Sequence, residues 1–432
     1  MLSCCRGAAR RDDRPSFGDM PRDEALERFD QLRVQEVRAN GYETASAFLA
    51  KFQSSAASLQ PDERIKLVVY AYDNSLELLK AVLSDPQANK ICALKWGYGG
   101  YDGGTSIIPL LINNCPELAS LRVDFWYYSA FDFVSSLLEH PSNKIKELEM
   151  PPNTGDSARF FAALGQSQVS ALTLYYSPEV AQGLFEYLVR DLLVRLKVWT
   201  NFEQVPLELM VSLADCTCLA KLEMVQCEFS QPTAFTHLPK SITTLTLNEC
   251  MFVGGFDWSF LAGSNVRELD LYDMKGVDGN QLGSALADYL RAKGLDKLRL
   301  VFCDFVDETL AVIGVDVGRI KRLMLEGGRV SDASIELIAL ALQSPDNEMK
   351  ELVLEYAASS IETHLVPALK HPNCNLAKLS LSTFGGGAKV AEHFHKRLAF
   401  FVLLQGRQVR RLYCPLRRLP VEMLRLVGAA LI

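Results

Sequence analysis

Leu193-Val-Arg-Leu196-Lys-Val198 is answered by Leu219-Ala-Lys-Leu222-Glu-Met224, with the two central leucines 26 residues apart. Each stretch is an aliphatic residue, two variable residues, Leu, one variable residue and a final apolar residue. The phrase occurs twelve times, from Ile91-Cys-Ala-Leu94-Lys-Trp96 to Leu376-Ala-Lys-Leu379-Ser-Leu381. Its central leucines (94, 121, 148, 172, 196, 222, 245, 269, 298, 323, 352 and 379) recur at roughly 26 residues, a period that marks a stacked repeat architecture. Within each phrase the period of two puts the Leu and the final apolar residue on one face of a strand and the variable residues on the other.

A repeat this short cannot bury its apolar side alone, so neighbours must stack on one continuous core. Helical periodicity fills the gaps between phrases, clearest over 156–164, 178–190, 281–293, 331–342 and 361–370. Ser331 stands where a polar N-cap belongs, ahead of Ile335, Ile338, Ala339 and Leu342. Strand, loop, helix, loop is therefore the expected unit. The fold class that follows is α/β: a solenoid, horseshoe in form, with a parallel inner sheet and outer helices.

The predicted organisation has four parts. Residues 1–20 read as a flexible tail rich in Arg, Asp, Gly and Pro. Residues 21–84 read as a helical N-terminal cap, from Leu26, Phe29, Leu32, Val34 and Val37 at helical spacing and from helices over 43–52 and 61–83. The array of about twelve repeats covers 85–385, and 386–432 reads as a helical C-terminal cap with Pro420 in its first turn.

Two stretches carry a family resemblance. Leu369-Lys-His-Pro-Asn-Cys374-Asn-Leu376-Ala-Lys-Leu379-Ser-Leu381 is close to the repeat phrase of the ribonuclease-inhibitor-like branch of the leucine-rich-repeat superfamily, and Asn113-Asn-Cys115-Pro-Glu-Leu118-Ala-Ser-Leu121 is a looser copy. The chain resembles that branch over 85–385. The resemblance implies protein binding in general terms and names no partner, since unrelated functions share the fold. Cys227, Cys250 and Cys303 fall three residues after the last strand position, where such repeats place Asn or Cys to satisfy turn backbone groups. At the other end, Leu419-Pro420-Val-Glu422 looks like the opening of an F-box, which would imply a substrate-recognition subunit of a ubiquitin ligase contacting an adaptor. The segment is shorter than an F-box and follows the repeats, so a capping helix is the expectation.

Composition narrows the function classes. The 432 residues are 49% hydrophobic, with a net charge of -7 and a pI near 5.6. An acidic chain is a poor match to a phosphate backbone, so no nucleic-acid partner is expected. No apolar run reaches transmembrane length, and Met-Leu-Ser-Cys4-Cys5-Arg6 lacks the apolar stretch of a secretory signal. Eleven cysteines in no framework spacing fit reduced thiols and a cytoplasmic location. Cys4 and Cys5 are sites for acylation only if the basic run beside them outweighs Asp12 and Asp13.

Chemical motifs are sparse, and no cofactor, metal or catalytic activity is expected. The loop from Gly97 to Thr105 has Thr where a phosphate loop needs Lys and Asp102 where a dinucleotide fingerprint needs Gly. His393 and His395 point about 200° apart on a helix and cannot share a metal. Cys216-Thr-Cys218 has no second ligand pair. An enzyme using the glycine loop or a cysteine is thus a remote alternative. The variable phrase positions instead predict a binding face on the concave side, with Tyr175, Arg195, Lys197, Trp199, Glu268, Asp270, Tyr272 and Arg299 at its centre. They combine the aromatic and arginine side chains that anchor interfaces with charges of both signs. Asp270 and Arg299 are expected to pair laterally.

Overall fold

The structure, a computed structural model, describes residues 34–39, 43–70, 75–97, 105–124, 129–150, 157–177, 183–184, 186–188, 192–328, 330–355 and 361–382. The N-terminal tail with Cys4 and Cys5, the glycine loop beyond Gly97, His393, His395 and the whole of 386–432 with Leu419 and Pro420 lie outside those residues. The chain divides into two compact units, 1–199 and 200–432.

Among the described residues the first unit carries seven parallel strands in chain order: β1 Val34–Ala39, β2 Arg64–Tyr70, β3 Ile91–Gly97, β4 Ser120–Asp124, β5 Glu147–Glu149, β6 Ala171–Tyr175 and β7 Arg195–Trp199. Register runs through the phrase leucines, Leu94 against Leu121, Leu148, Leu172 and Leu196 in turn. It continues backwards to Leu67 and Val37. All seven of these side chains are buried at 2% exposure or less, so they form the spine of the core. Helices α1 Ala45–Ser58, α2 Ser75–Leu83, α3 Ile108–Asn114, α4 Ser129–Leu138 and α5 Ser157–Gln166 alternate with the strands. In α1 the Thr44 hydroxyl caps Ala47 N, and Phe48, Phe52 and Ala56 are buried at the spacing of one helical face.

The helical N-terminal cap expected over 21–84 needs correction. Its described part is two further strand–helix repeats, and the strand β1 occupies the segment whose Val34 and Val37 fit a helical spacing. The repeat phrase is present there in disguise. Val34-Gln-Glu-Val37-Arg-Ala39 has Val in place of the central Leu, and Arg64-Ile-Lys-Leu67-Val-Val69 has Arg in the first aliphatic place. A run with apolar residues three apart satisfies both periods, and pairing with β2 decides for the strand. Among the described residues the repeats therefore start at Val34, some fifty residues before the expected start at 85.

The second unit repeats the plan with β8 Lys221–Val225, β10 Thr244–Asn248, β12 Glu268–Tyr272, β13 Leu295–Val301, β14 Ile320–Glu326, β15 Glu351–Glu355 and β16 Lys378–Ser382, all parallel. Two-residue strands β9 Glu228–Phe229 and β11 Met251–Phe252 pair beside them. The helices are α6 Leu207–Leu213, α7 Phe260–Gly263, α8 Gly279–Ala292, α9 Val306–Ile313, α10 Asp332–Gln343 and α11 Ile361–Lys370. Ser331 caps α10 as expected, accepting from Ser334 N. This is a leucine-rich-repeat solenoid of the α/β type.

Its shortest repeats depart from the strand–helix plan. Leu222 to Leu245 spans 23 residues, against 29 from Leu269 to Leu298, and leaves no room for a full helix. The missing apolar bulk comes from rings: Phe229 stacks on Phe252, and Phe235, Phe256, Trp258 and Phe260 close around them, with centroids 4.0 to 6.1 Å apart across the cluster. These aromatics do in the short repeats what a helix face does in the long ones.

Every long strand from β8 to β14 ends the same way. The next residue is left-handed: Gln226 (φ 52°), Glu249 (52°), Asp273 (43°), Phe302 (51°) and Gly327 (69°). Its N–H reaches over to the following repeat, as from Glu249 to Tyr272 O at 2.7 Å, Asp273 to Val301 O at 2.8 Å and Phe302 to Glu326 O at 2.9 Å. Behind this turn the buried Cys227, Cys250 and Cys303 thiols donate to strand carbonyls at 3.3 to 3.6 Å. The acceptors are carbonyls of the strands, Val225, Met224, Leu271 and Val301, where the resemblance implied turn groups.

Candidate functional site

The residues singled out from the sequence fall into two groups, one in each unit. In the first unit, Tyr175, Arg195, Lys197 and Trp199 alternate with buried Leu174, Leu196 and Val198 on β6 and β7, so they lie half-buried on the opposite face. Register sets Tyr175 beside Trp199, and their rings sit 5.2 Å apart at 34°. Lys197 Nζ stands 5.1 Å from the Trp199 ring, within cation–π range. The result is a paired-ring surface edged by a cation.

Charges continue across the same face. Arg122 holds Glu149 Oε1 at 2.8 Å and Asp124 at 3.1 Å, and Asp124 also accepts from the Tyr70 hydroxyl. Burial raises the Glu149 carboxyl above its usual range, against a smaller lowering by Arg122. Burial, then the Glu149 charge, pushes the Tyr175 phenol up as well.

In the second unit Glu268, Asp270, Tyr272 and Arg299 share one face of β12 and β13, but their pairing differs from the expectation. Asp270 lies opposite Arg299 in register, yet its ion pair is with Lys297 at 2.8 Å. Arg299 turns to Glu326 at 2.7 Å, which raises it further above its ordinary value. Arg322 reaches back across β13 to Glu268. Long cationic side chains lean along the sheet and choose the carboxylate that meets their reach, so the residue directly opposite is not the partner. Val301 follows Lys297 and Arg299 in the alternation that predicts the binding face, but it is buried at 4% exposure.

Sequence reasoning missed Phe302. It follows β13 directly, is 51% exposed and sets its ring edge-to-face against Tyr272 at 5.5 Å. Its signal is positional: an aromatic residue in the left-handed place where the neighbouring repeats carry Gln226, Glu249, Asp273 and Gly327.

Three of the described cysteines are poorly placed for nucleophilic chemistry. Burial pushes the Cys92 and Cys115 thiols up to about 12 and the Cys303 thiol to about 11, which keeps them protonated at neutral pH. Of the Cys216-Thr-Cys218 pair, Cys216 is buried and Cys218 exposed. Among the described residues no group of three His, Cys, Asp or Glu side chains is placed to hold a metal ion, and no helix is long and apolar enough to cross a membrane.

No protein-family model matches the chain, and no curated protein sequence does. Similar solved structures include an internalin (inlF) from Listeria monocytogenes str. 4b F2365, at 14% identity and TM-score 0.41 over 82% of this chain and 88% of that one. An internalin C2 (inlC2) from the same organism matches at 20% identity and TM-score 0.28, over 47% of this chain and 79% of that one. The plant peptide hormone receptor RGFR1, in complex with RGF2, matches at 11% identity and TM-score 0.31 over 82% and 50%. Likeness this distant says nothing of what this chain binds.

Proposed function

We propose that the chain is a non-catalytic module that holds a protein partner against the side-chain face of its parallel strands. The observation that carries this reading is the Tyr175–Trp199 ring pair with Lys197 over it, half-exposed on a sheet face whose alternate residues form the core. Rings in that position add little to the interior, while Trp, Tyr and cationic side chains supply much of the energy where protein surfaces meet. The charges around them suit control of register and approach rate. High thiol pKa values at Cys92, Cys115 and Cys303 support a module without cysteine chemistry. Tyr175, Arg195, Lys197 and Trp199, and in the second unit Glu268, Asp270, Tyr272 and Arg299, are the residues proposed to contact the partner.

Site-specific photocrosslinking tests the assignment. A benzophenone side chain at Thr173 or Thr246, both on the strand face, should trap the partner from native extract. The same group at Glu336, on the helix α10, should not. Trapping from Glu336 alone would move the binding surface to the helices.

A further inference from the structure

We infer that Tyr272 and Phe302 form a docking point for a cationic, arginine-bearing segment of a protein partner. This deepens the reading of the strand face as a protein-binding surface and rests on it.

Phe302 is the odd residue in its series. Five strands end in a left-handed residue, and at the other four places the chain has Gln226, Glu249, Asp273 and Gly327, which are polar or lack a side chain. A bulky aromatic residue avoids a φ of 51°, and at 51% exposure its ring gives up much of the burial that would offset this. The left-handed backbone serves the fold, since it sends the Phe302 N–H to Glu326 O at 2.9 Å, but an exposed aromatic side chain is not needed for that bond.

The ring is nevertheless held in place. Tyr272 meets it edge-to-face at 5.5 Å, and it lies over Gly327, where any Cβ would collide with it. Glycine at the following turn thus clears the space in which the Phe302 ring rests. A side chain that is strained, exposed and still oriented is prepared for a contact outside the chain, because an oriented ring loses little freedom when a partner covers it.

Charge selects the partner's chemistry. The turns over 249–260 and 302–308 contain carboxylates and no Lys or Arg. Glu249 accepts only an amide, Gln226 Nε2 at 2.9 Å, among the described contacts, and Asp304 is exposed beside Phe302. Asp273 is paired with Lys275 at 2.6 Å, while Lys297 and Arg299 are taken up by Asp270 and Glu326. Among the described side chains the rings are left with surplus negative charge around them; Arg329, two residues after Gly327, lies outside the described residues. A guanidinium both stacks on an aromatic face and donates in a fork to a carboxylate, which an acidic or purely apolar segment cannot do.

The test uses the full chain and three synthetic decapeptides that alternate Arg-Leu, Arg-Ser and Glu-Leu, titrated by fluorescence anisotropy at low and moderate salt. The Arg-Leu peptide should bind best, weaken with salt, and lose at least tenfold in affinity to Phe302→Gly and to Glu249→Gln with Asp304→Asn. Phe302→Gly should leave the melting temperature unchanged or higher, since it removes the left-handed strain. Equal binding of the Glu-Leu peptide overturns the proposal, as does Arg-Leu affinity that survives Phe302→Gly. A clear fall in melting temperature for Phe302→Gly assigns the ring to the fold instead. Sedimentation that shows a dimer lost in Phe302→Gly replaces the segment with a second copy of the chain and overturns it too. If the crosslinks from Thr173 and Thr246 persist in Phe302→Gly with the same partner and affinity, the general reading stands and this one fails.

Discussion

Lys297 reaches Asp270 Oδ2 at 2.8 Å from two residues behind its register partner Arg299, so the pair is diagonal across β12 and β13. Asp270 Oδ1 is buried without a hydrogen-bond partner, which leaves Lys297 as the main compensation for that carboxylate. Removing it strands a partly buried charge. Lys297→Met should cost about 2 kcal/mol, in the range for an unsatisfied buried group, and the double change with Asp270→Leu should recover most of it. Urea denaturation of the two single variants and the double variant measures the coupling; simple additivity would show that the pair does not act as a unit.

Leu245 is fully buried and pairs in register with Leu222 and Leu269. Leu245→Ala should destabilise the second unit by about 2 to 5 kcal/mol, because stacked repeats on both sides limit collapse around the cavity. Chemical denaturation reads the loss directly. A change within about 1 kcal/mol would be incompatible with a shared core at this position.

Much of this architecture is legible in the twelve phrases, since a period of two inside a period near 26 admits few folds. The first two repeats escape because Val37 stands in for Leu and Arg64 for an aliphatic residue. The binding face is legible as an alternation, which is how Tyr175 and Trp199 emerge together. Ion pairing is not, because Arg299 and Lys297 choose partners by side-chain reach, and register alone points Arg299 to Asp270. Phe302 is illegible for another reason: its exposure depends on a left-handed turn that no residue type in Val301-Phe302-Cys303 demands.

Trp199 is half-buried against Tyr175, so its loss is felt in the fold as well as in any complex. Trp199→Ala should cost about 1 kcal/mol of stability for the ring pair. If the proposed face is used, partner affinity should fall by about 2 kcal/mol or more. Calorimetric binding of the crosslinked partner, once purified, separates the two effects; unchanged affinity per folded molecule removes Trp199 from the site.

Glu149 provides a pH signature. Burial raises its carboxyl above the unfolded value, so the native state keeps the proton to a higher pH than the unfolded chain does. The contribution of this group to stability therefore falls as pH rises from the unfolded value, about 4.3, through the folded one, and returns on acidification. Glu149→Gln should melt higher than the parent at neutral pH, with the difference vanishing near pH 4. Thermal melts across that range check the sign, and a lower-melting variant would mean that pairing with Arg122 outweighs burial.

Cysteine accessibility gives a direct test of the turn ladder. Cys218 is exposed, whereas Cys92, Cys115 and Cys303 are buried with thiols raised to between about 11 and about 12. Iodoacetamide followed by peptide mass spectrometry should label Cys218 in the native protein and the other three only after denaturation. Native labelling of Cys303 would mean that its turn opens.

The bonds from the left-handed turns in the second unit run to adjacent repeats, forward from Glu249 to Tyr272, Asp273 to Val301 and Phe302 to Glu326, and back from Met251 to Cys227 and Lys275 to Cys250. No described strand there is flanked by a segment distant in the chain. Under tension along the chain such a stack behaves as a row of tear seams, because each repeat is held chiefly by the one beside it. Drawn out in an optical trap, it should come apart in small steps, each releasing about 25 residues, or roughly 85 Å of contour, in place of a single catastrophic rupture.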